Sequence, residues 1–574
     1  MADRTTDDPK TPSHAHQARS AADPRAGMRR YRTTDEVDFV IVGSGAAGGV
    51  VARELSQAGF SVVVMEQGPW RTNAEFTHDE LFVNFRGGLT NNFEKVPNTF
   101  RTTEAETAKK QGVAQYAMMV GGSSAHFTAN YWRFPEIEFE QATKLGVPAN
   151  STIADWPITY VDLEPYYTKV DWECGVSGLA GVNPFDPPRS KPYPLPPLPI
   201  KSEGVLLERA AAKIGWHAVP APMAILSKPY RGRSGCVNCG FCFGFACEVG
   251  AKSGSINAMI PDAVKSGKCE IRSGSYVRKV ELGANGRVTG VKYFDSRKVE
   301  QFQRAKAVFV CANGAETPRL LFNSATAGFE QGLANSSGWL GRNVMFNYNT
   351  AGAGIFAHEI NGWKGAVVSR IVQDPTVLPK ELGIYGGGGF DFRSSMTPMN
   401  AALQTLPGQP RWGSEWKKGL RKNLSHSLLA IGHTSQLPVF TNRFDLDPEL
   451  KDVWGVPALR LTFADHPNDL EMLKWFGAKG KELLDAAGAE TAVDFGVGPM
   501  GFPQLHLLGS ARMGNDPKTS VVNADNRTHD VKNLFIVDGS SFVTSGRGQP
   551  TMTIQALAFR AAARAIALVK AGEL

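Results

Sequence analysis

The hydrophobic pattern near the N terminus predicts a strand, a helix and a second strand. Val37–Val42 is a continuous apolar run of strand length, which is typical of a parallel strand buried on both faces. Helical spacing of apolar residues follows from about Ala46 to Gln57. A second apolar run, Ser61–Met65, ends at Glu66. This order predicts a βαβ unit within a parallel sheet.

A glycine turn with the sequence GSGAAG joins the first strand to the helix. Gly43 allows a tight turn, Gly45 lets the backbone approach a pyrophosphate, and Gly48 lets the helix pack closely on the strand. The helix that opens at Ala46 offers unpaired N–H groups to phosphates. Glu66, eighteen residues after Gly48, is placed to accept from ribose hydroxyls. The pattern predicts a dinucleotide site, and a glycine turn without a ligand is the alternative.

Apolar runs farther along the chain predict more strands. Four of them are Cys269–Ile271, Tyr276–Leu282, Val288–Phe294 and Ala307–Cys311. Between the second and third, Asn285-Gly286 is typical of a hairpin turn. Residues 181–200 contain eight prolines, which predicts an extended connector rather than a helix. Residues 345–500 are rich in strand-forming residues and glycine, and a last buried run, Asn533–Val537, precedes a long C-terminal helix.

Composition and charge exclude several classes of protein. The 574 residues carry 62 Lys and Arg against 55 Asp and Glu, and the net charge of +7 is scattered, so we expect no nucleic-acid partner. Every long apolar run is interrupted by charges or glycine clusters, so we expect no membrane span. Residues 1–35 have almost no bulky apolar side chains, which predicts a disordered arm. Arg29-Arg30 is not followed by an apolar stretch, so we expect no export signal in this chain.

Four blocks of sequence together resemble the glucose–methanol–choline (GMC) family of flavin alcohol oxidoreductases. They are GSGAAGG with Glu66, Val120–Ser124 (VGGSS), His506–Gly514 (HLLGSARMG) and the C-terminal pair Asn533–Ser540 (NLFIVDGS) and Gln549–Ala558 (QPTMTIQALA). The resemblance covers nearly the whole chain after residue 36. It is greatest for the branch that contains bacterial FAD glucose dehydrogenase and glucoside 3-dehydrogenase catalytic subunits and pyranose oxidase.

The resemblance implies an α/β fold with two domains. A Rossmann-like FAD-binding domain would be assembled from residues 36–130, 231–345 and 500–574. An inserted α+β substrate-binding domain with a large antiparallel sheet, together with connectors, would come from residues 131–230 and 346–499.

The resemblance also implies FAD as the cofactor. The residues that match the FAD contacts of the family are Gly43, Gly45, Ala46, Gly48, Glu66, Gly121, Gly122, Ser123, His126, Val277, Asp538, Gly539, Pro550 and Thr551. In some family members a histidine at the offset of His126 is bonded covalently to the 8α carbon of the flavin. A covalent bond and a non-covalent contact are therefore both expectations for this chain.

Two residues match the catalytic positions of the family. His506 matches its catalytic histidine, and a neutral imidazole, with a reference pKa of about 6.5, can take a hydroxyl proton while a hydride leaves carbon for flavin N5. Gln549 stands where the family usually has Asn or His before Pro-Thr. Glutamine keeps an amide donor and acceptor but adds a methylene. We expect Gln549 either to hold the substrate oxygen or to change the shape of the pocket.

Four cysteines are clustered in the pattern C-x2-C-x2-C-x4-C. They are Cys236, Cys239, Cys242 and Cys247. The first spacings are ferredoxin-like, and flavin glucose dehydrogenase subunits carry an iron–sulfur cluster in a similar region, although with different spacing. Three interpretations are open: an iron–sulfur relay, a structural zinc site, and cysteines without metal in a structural loop.

The sequence thus predicts a flavin dehydrogenase that oxidises a CH–OH group of a sugar, glycoside or polyol. An iron–sulfur relay would favour an electron acceptor other than oxygen, such as a cytochrome or quinone, and a small accessory subunit. A peroxide-producing oxidase is the second hypothesis, and a non-catalytic FAD-binding partner subunit is the third. Because a partner subunit could carry an export signal, the expected location is cytoplasmic, or periplasmic by co-export.

Overall fold

The computed structural model describes residues 25–362, 364–394, 397–403, 409–496 and 500–574. The strands of these residues are, in chain order, β1 (Val37–Val42), β2 (Val62–Glu66), β3 (Asn98–Arg101), β4 (Lys109–Lys110), β5 (Ala218–Pro220), β6 (Cys269–Ser273), β7 (Tyr276–Leu282), β8 (Val288–Phe294), β9 (Glu300–Val310), β10 (Tyr348–Ile355), β11 (Arg370–Val372), β12 (Gly388–Arg393), β13 (Ser427–Thr434), β14 (Arg443–Lys451), β15 (Pro457–Thr462), β16 (Thr491–Asp494) and β17 (Leu534–Ile536). The helices are α1 (Ala46–Gln57), α2 (Gln141–Leu145), α3 (Tyr160–Cys174), α4 (Ser202–Lys213), α5 (Ser255–Ala258), α6 (Ile260–Lys265), α7 (Asn313–Phe322), α8 (Pro398–Leu403), α9 (Gly413–His426), α10 (Pro467–Ala487) and α11 (Thr551–Lys570).

The first sheet is built from the buried apolar runs. Its parallel strands have the order β6–β2–β1–β9–β17. Every residue of β2 and nearly every residue of β1 is buried, which is the burial expected for a parallel sheet covered on both faces. Strand β1 and helix α1 have the bounds that the sequence predicts, and β2 lies one residue later than predicted.

The long strand β9 joins the parallel strands to an antiparallel ribbon with β8 and β7. Strands β7 and β8 have exactly the predicted residues, and at their turn the Arg287 N–H donates to Asn285 Oδ1 at 3.1 Å. Strand β9 begins at Glu300 rather than at Ala307. Its first half is polar and lacks an apolar run, so pairing with β8 rather than hydrophobic pattern makes it a strand.

The second sheet is fully antiparallel, with the order β16–β10–β13–β12–β11–β5. Helix α10 covers one face, where Phe390 of β12 stacks on Phe476 with ring centroids 5.0 Å apart. The opposite face carries Asp391 and His433, both buried. A smaller third sheet has the order β14–β15–β3–β4. The predicted fold class, a Rossmann-like unit with a large antiparallel sheet, is confirmed.

Pairing of β5 with β11 brings the two segments predicted to form the substrate domain into one sheet. The exact domain boundaries stay a prediction. Among the described residues, 181–200 contain no helix or strand, as their prolines predict.

Part of the predicted disordered arm docks on the fold. Met28 is only 9% exposed, and the Tyr31 N–H donates to Glu270 Oε2 at 2.8 Å. The prediction of disorder is thus corrected for residues 25–35, because a few side chains dock on strand β6 without an apolar pattern of their own. Residues 1–24 of the predicted arm lie outside the described residues.

Helix α11 has the length and apolar composition of a membrane span, with a mean hydropathy of 1.4. Its apolar run is interrupted by Arg560 and Arg564, so the expectation that the chain has no membrane span stays a prediction. In the fold, 61% of the apolar window is buried. A core helix passes the same test, so α11 gives only weak support for a membrane span.

Candidate active site

A cavity of about 580 Å³, here called the central cavity, lies at the carboxyl ends of β1, β2, β9 and β17. This is the edge where ligands bind in parallel sheets. The predicted residues that line it are Gly43, Gly45, Ala46, Glu66, Gly122, Ser123, His126, Val277, His506, Asp538, Gly539, Pro550 and Thr551. Three other predicted residues, Gly48, Gly121 and Gln549, are not among its lining residues.

The glycines of the first turn differ in what surrounds them. A Cβ atom at Gly48 would lie 1.9 Å from the Gly43 carbonyl oxygen, so this glycine lets α1 pack on the preceding turn. A Cβ atom at Gly45 would lie 3.9 Å from Gly122 Cα, its nearest neighbour, which is ordinary van der Waals distance. Gly45 thus borders open space in the central cavity, whereas Gly48 is required by the protein itself.

Ser44 joins three segments of the cavity wall, although the sequence analysis did not single it out. Its hydroxyl donates to Glu66 Oε2 at 2.7 Å and accepts from the Gly121 N–H at 3.0 Å. The Gly68 N–H donates to the other carboxylate oxygen of Glu66 at 2.9 Å. Burial raises the pKa of Glu66 above its ordinary value. Ser44 occupies a variable position of the glycine motif, so the motif gives no signal for it.

Asp538, which also lines the central cavity, is anchored by three hydrogen bonds. Its carboxylate accepts from the Ser540 N–H at 2.8 Å, from the Asn313 N–H at 3.1 Å and from the Thr317 hydroxyl at 2.6 Å. Burial raises the pKa of Asp538. These bonds fix Asp538 and the adjacent Gly539 beside the first turn of helix α7.

His126 has one nitrogen engaged and one free. Its Nδ1 lies 3.2 Å from the Gly244 carbonyl oxygen. A carbonyl only accepts, so Nδ1 carries the proton and Nε2 has the lone pair. Within the described residues, the buried Nε2 has no hydrogen-bond partner. Burial, with the nearby Lys252 charge, lowers the pKa of His126 to about 4, so the ring is neutral.

His506 has the same character on another wall of the central cavity. Its buried Nδ1 has no hydrogen-bond partner in the part of the chain that the structure describes. Burial, together with His433 and Arg393, lowers the pKa of His506 to about 4. The imidazole is therefore uncharged at neutral pH and able to accept a proton.

Gln549 is buried and contacts a polar cluster that sequence reasoning missed. Its Nε2 lies 3.3 Å from Nδ1 of His433. Nε2 of His433 lies 2.8 Å from Asp391 Oδ2, and Arg393 donates to both oxygens of that carboxylate at 2.5 and 2.8 Å. Pairing of β12 with β13 brings these residues together, so no local motif could have indicated them.

The cysteine loop, residues 236–247, borders both the central cavity and a second, small cavity. Phe243 and Gly244 line the central cavity. All four clustered cysteines line the small cavity, whose volume is about 20 Å³. The buried Lys252 ammonium donates to two carbonyl oxygens of the loop, those of Cys242 and Phe245, at 2.9 and 2.8 Å.

The thiols of the cysteine loop are not gathered into a chelate. None is in a disulfide bond, and no group of three or more His, Cys, Asp or Glu residues in the described chain is arranged to hold a metal ion. Burial raises the pKa of Cys236 to about 11 and also raises the pKa of Cys239, so both are protonated at neutral pH. This geometry does not fit a preformed iron–sulfur or zinc site.

Comparison with known proteins identifies the family of the chain. Two family models described as GMC oxidoreductase match residues 204–348 and 438–558. A model described as an NAD(P)-binding Rossmann-like domain matches residues 41–109, which contain the glycine turn.

Three relatives match almost end to end. A 2-methyl-1,2-propanediol dehydrogenase from Mycolicibacterium austroafricanum is 33% identical, covering 92% of this chain and 95% of the relative. The gluconate 2-dehydrogenase flavoprotein of Pantoea cypripedii is 29% identical over 91% and 92% of the two chains. The fructose dehydrogenase large subunit of Gluconobacter japonicus is also 29% identical, over 92% and 97%.

Similarity to solved structures supports the fold. A crystal structure of formate oxidase has a TM-score of 0.63 at 14% identity and covers 93% of this chain and 98% of that one. Taken with the matched models and the relative at 33% identity, this shows that the chain belongs to the GMC oxidoreductase family and is an FAD-dependent oxidoreductase acting on CH–OH donors.

Proposed function

We propose that this chain is a dehydrogenase that oxidises a CH–OH group of a sugar, glycoside or polyol. The names of its relatives support this substrate class, since they act on a diol, on gluconate and on fructose. In this proposal His506 is the base, Gln549 holds the substrate oxygen, and the electrons leave to an acceptor other than oxygen.

The observation that carries the proposal is the free, neutral imidazole of His506 on the wall of the central cavity. Alcohol oxidation requires a group that takes the hydroxyl proton as the hydride leaves. With a pKa of about 4, lowered by burial and by His433 and Arg393, His506 is proton-free at neutral pH. None of the described groups hydrogen-bonds to Nδ1 of His506, so no protein group occupies that nitrogen.

The residues of the central cavity fit FAD. When bound, FAD supplies the hydride acceptor, and the protein supplies binding, orientation and the base. The open space at Gly45 beside Gly122 would admit a pyrophosphate against bare backbone, and Glu66 would accept from the ribose. Asp538 and its flanking backbone would hold the linker between phosphate and flavin.

Anaerobic mixing of the FAD-loaded protein with a panel of carbohydrates, polyols and simple alcohols tests this function. We expect at least one member of the panel to bleach the flavin absorbance in the wild-type protein. His506→Ala should retain its flavin and fail to bleach at a comparable rate. Equal bleaching by both proteins would remove His506 from the reaction.

Two other functions predict different outcomes in similar assays. An oxidase would produce hydrogen peroxide at the rate of alcohol consumption in air, whereas a dehydrogenase needs an added acceptor. We test the oxidase alternative because solved structures of similar fold include a pyridoxine 4-oxidase and a formate oxidase. A non-catalytic FAD-binding subunit would show no bleaching with any alcohol.

The acceptor and the location of the protein are part of the same proposal. We infer that a cytochrome, a quinone or an accessory subunit takes the electrons. The described cysteines are not arranged to hold a metal ion, so an iron–sulfur relay is not part of this proposal. Such a relay stays a prediction, with zinc and metal-free thiols as its alternatives. We also propose that the protein is cytoplasmic, or that it is exported to the periplasm together with a partner subunit that carries the export signal.

A further inference from the structure

Two large apolar side chains are exposed on the wall of the central cavity. Phe243 of the cysteine loop is 41% exposed, and Leu505, the residue before His506, is 64% exposed. Both line the central cavity. Ligand sites are concave and lined largely by apolar and aromatic side chains, and exposed apolar surface in such a place is typical of a surface that a ligand covers.

Contacts of the neighbouring residues place Phe243 at the end of the cavity that holds His126 and His506. The Arg393 guanidinium lies over the Phe243 ring, with Cζ 5.9 Å from the ring centroid. The charge of Arg393 also acts on the imidazole of His506. The residue after Phe243 is Gly244, whose carbonyl oxygen lies 3.2 Å from Nδ1 of His126. Phe243 therefore borders the part of the cavity where the reaction is proposed to occur.

One face of the Phe243 ring is covered and the other is open. Arg393 is buried, and it donates to the two carboxylate oxygens of Asp391 at 2.5 and 2.8 Å. Its Nη2 also lies 3.0 Å from Nε2 of His433. These contacts hold the guanidinium against one face of the ring, as in a cation–π pair. Because the side chain is still 41% exposed, the opposite face is available to a ligand.

Two amide side chains border the same part of the cavity. Asn84 and Asn400 are both lining residues. Oδ1 of Asn84 lies 3.5 Å from the position that a Cβ atom would take at Gly244, so this amide is beside the cysteine loop. The carboxylate of Glu80, in the same segment as Asn84, accepts from the Asn400 N–H at 2.9 Å. Glu80 thus joins the two segments that carry the amides.

An aromatic face with amides beside it complements a sugar in its ring form. Such a ring carries C–H groups on its faces and hydroxyl groups around its edge. An open-chain polyol carries hydroxyl groups along its whole length, has no fixed apolar face, and loses more conformational freedom when it binds. The names of the relatives do not decide between these forms, since they act on a diol, on gluconate and on fructose.

We propose that Phe243 is a specificity-determining residue whose open face packs on the C–H face of a sugar in its ring form, while Asn84 and Asn400 hydrogen-bond to hydroxyl groups that do not react. Leu505 extends the apolar wall on the side of His506. This inference rests on the proposed function, in which His506 takes the proton of the hydroxyl that is oxidised. The binding step can nevertheless be measured without turnover.

Three matched pairs of probes test the preference for a ring. They are methyl glucopyranoside with glucitol, methyl galactopyranoside with galactitol, and methyl mannopyranoside with mannitol. Dissociation constants from the FAD-loaded protein are measured by ligand-observed NMR titration under nitrogen. We expect the pyranoside of at least one pair to bind about tenfold more tightly than its open-chain partner, the effect of covering part of one aromatic face. No preference for a pyranoside in any pair would overturn the inference.

Two variants test the residues that make the contact. F243A should weaken binding of the preferred pyranoside by about tenfold and leave its open-chain partner within about twofold of wild type. N84A should weaken the same pyranoside by about fivefold, the effect of one hydrogen bond. Wild-type affinity for the pyranoside in either variant would overturn the inference.

Phe241 provides the control within the same loop. Its ring stacks on His78 with centroids 4.7 Å apart, and it lines the small cavity rather than the central one. F241A should keep the preference of the wild-type protein. FAD affinity and the unfolding midpoint are compared in every variant. If F243A weakened FAD binding as much as pyranoside binding, the ring would contact the flavin instead, and the inference would be overturned.

The outcomes also separate this inference from the proposed function. If a pyranoside binds in the Phe243-dependent manner but no alcohol reduces the wild-type flavin, the proposed function fails and the sugar contact stands. If an open-chain alcohol reduces the flavin and no pyranoside binds, the proposed function stands and the inference about Phe243 fails.

Discussion

The central cavity and the cysteine loop adjoin each other, but they are assembled in different ways. Gly45, Gly122 and Glu66 line the central cavity, and the Ser44 hydroxyl ties this wall together through hydrogen bonds to Glu66 and from the Gly121 N–H. The cysteine loop brings four thiols to the edge of a cavity of about 20 Å³ without forming a chelate among the described residues.

The difference follows from what holds each region together. The wall of the central cavity is held by packing and by hydrogen bonds between neutral or singly charged protein groups, such as those of Ser44 with Glu66 and with the Gly121 N–H. A thiolate site depends on charges that repel each other until a cation neutralises them, so a preformed geometry is rarely present without the metal. In this chain burial raises the pKa of Cys236 to about 11, which keeps that thiol neutral at neutral pH.

Among the substitutions that test the central cavity, we expect the largest effect from Gly48→Ala. The new methyl would lie 1.9 Å from the carbonyl oxygen and 2.9 Å from the carbonyl carbon of Gly43, and these backbone atoms cannot move aside as a flexible side chain could. We expect loss of folded protein, measured as soluble yield and circular dichroism. A folded, flavin-loaded Gly48→Ala protein would contradict the packing role of this glycine.

Gly45→Ala is the matched contrast. Its methyl would be 3.9 Å from the nearest protein atom, so we expect the apoprotein to fold with an unchanged unfolding midpoint. Crowding the approach of the pyrophosphate should cost about 1–3 kcal/mol, which weakens FAD binding by about 5- to 150-fold. Titration of apoprotein with FAD measures this, and wild-type affinity would show that the cofactor does not pass Gly45.

The next effect concerns chemistry in the central cavity. We expect His506→Ala to slow anaerobic flavin reduction by about 10²- to 10⁴-fold, the usual contribution of a positioned base. Cys242→Ser is the matched variant in the adjoining loop, and it should leave this half-reaction unchanged. If Cys242→Ser slowed flavin reduction as much as His506→Ala does, the two regions would not be functionally separate.

The pH dependence of the wild-type enzyme sharpens the same point. The active form of His506 is neutral, and its pKa is lowered to about 4, first by burial and then by His433 and Arg393. The value of kcat/KM should therefore hold from neutral to mildly acidic pH and fall only as the pH approaches about 4. An acid limb near the ordinary histidine pKa, about 6.5, would mean that the imidazole is not desolvated in the working enzyme.

Residues that satisfy local steric rules could be predicted from the sequence, and residues brought together by strand pairing could not. Gly43, Gly45 and Glu66 follow from a strand, a turn and a helix that are contiguous in sequence. His433 and Asp391 are 42 positions apart and meet only through the ladder of β12 and β13. The βαβ unit could be predicted for the same reason, whereas the large antiparallel sheet was implied by the resemblance to the family.

Metal analysis of anaerobically purified protein tests whether the cysteine loop closes around a metal. An iron–sulfur relay predicts iron with acid-labile sulfide in the wild-type protein and the loss of both in Cys242→Ser. Cys269→Ala, a buried cysteine of strand β6 outside the loop, should keep them. Zinc without sulfide would make the site structural, and a metal-free wild-type protein would leave the thiols as part of an ordinary loop.

The smallest expected effect concerns His126, whose hydrogen bond to the cysteine loop lies where that loop borders the central cavity. His126 donates from Nδ1 to the Gly244 carbonyl of the cysteine loop, and its Nε2 lone pair is free in a neutral ring on the wall of the central cavity. A free lone pair is what bonding to the flavin 8α carbon requires, so we expect acid precipitation to give a yellow pellet. His126→Ala should give a colourless pellet and a yellow supernatant. A colourless wild-type pellet would mean that His126 makes only a non-covalent contact with the flavin. The cysteine loop would then orient His126 through the Gly244 carbonyl, with no covalent bond from His126 to the flavin.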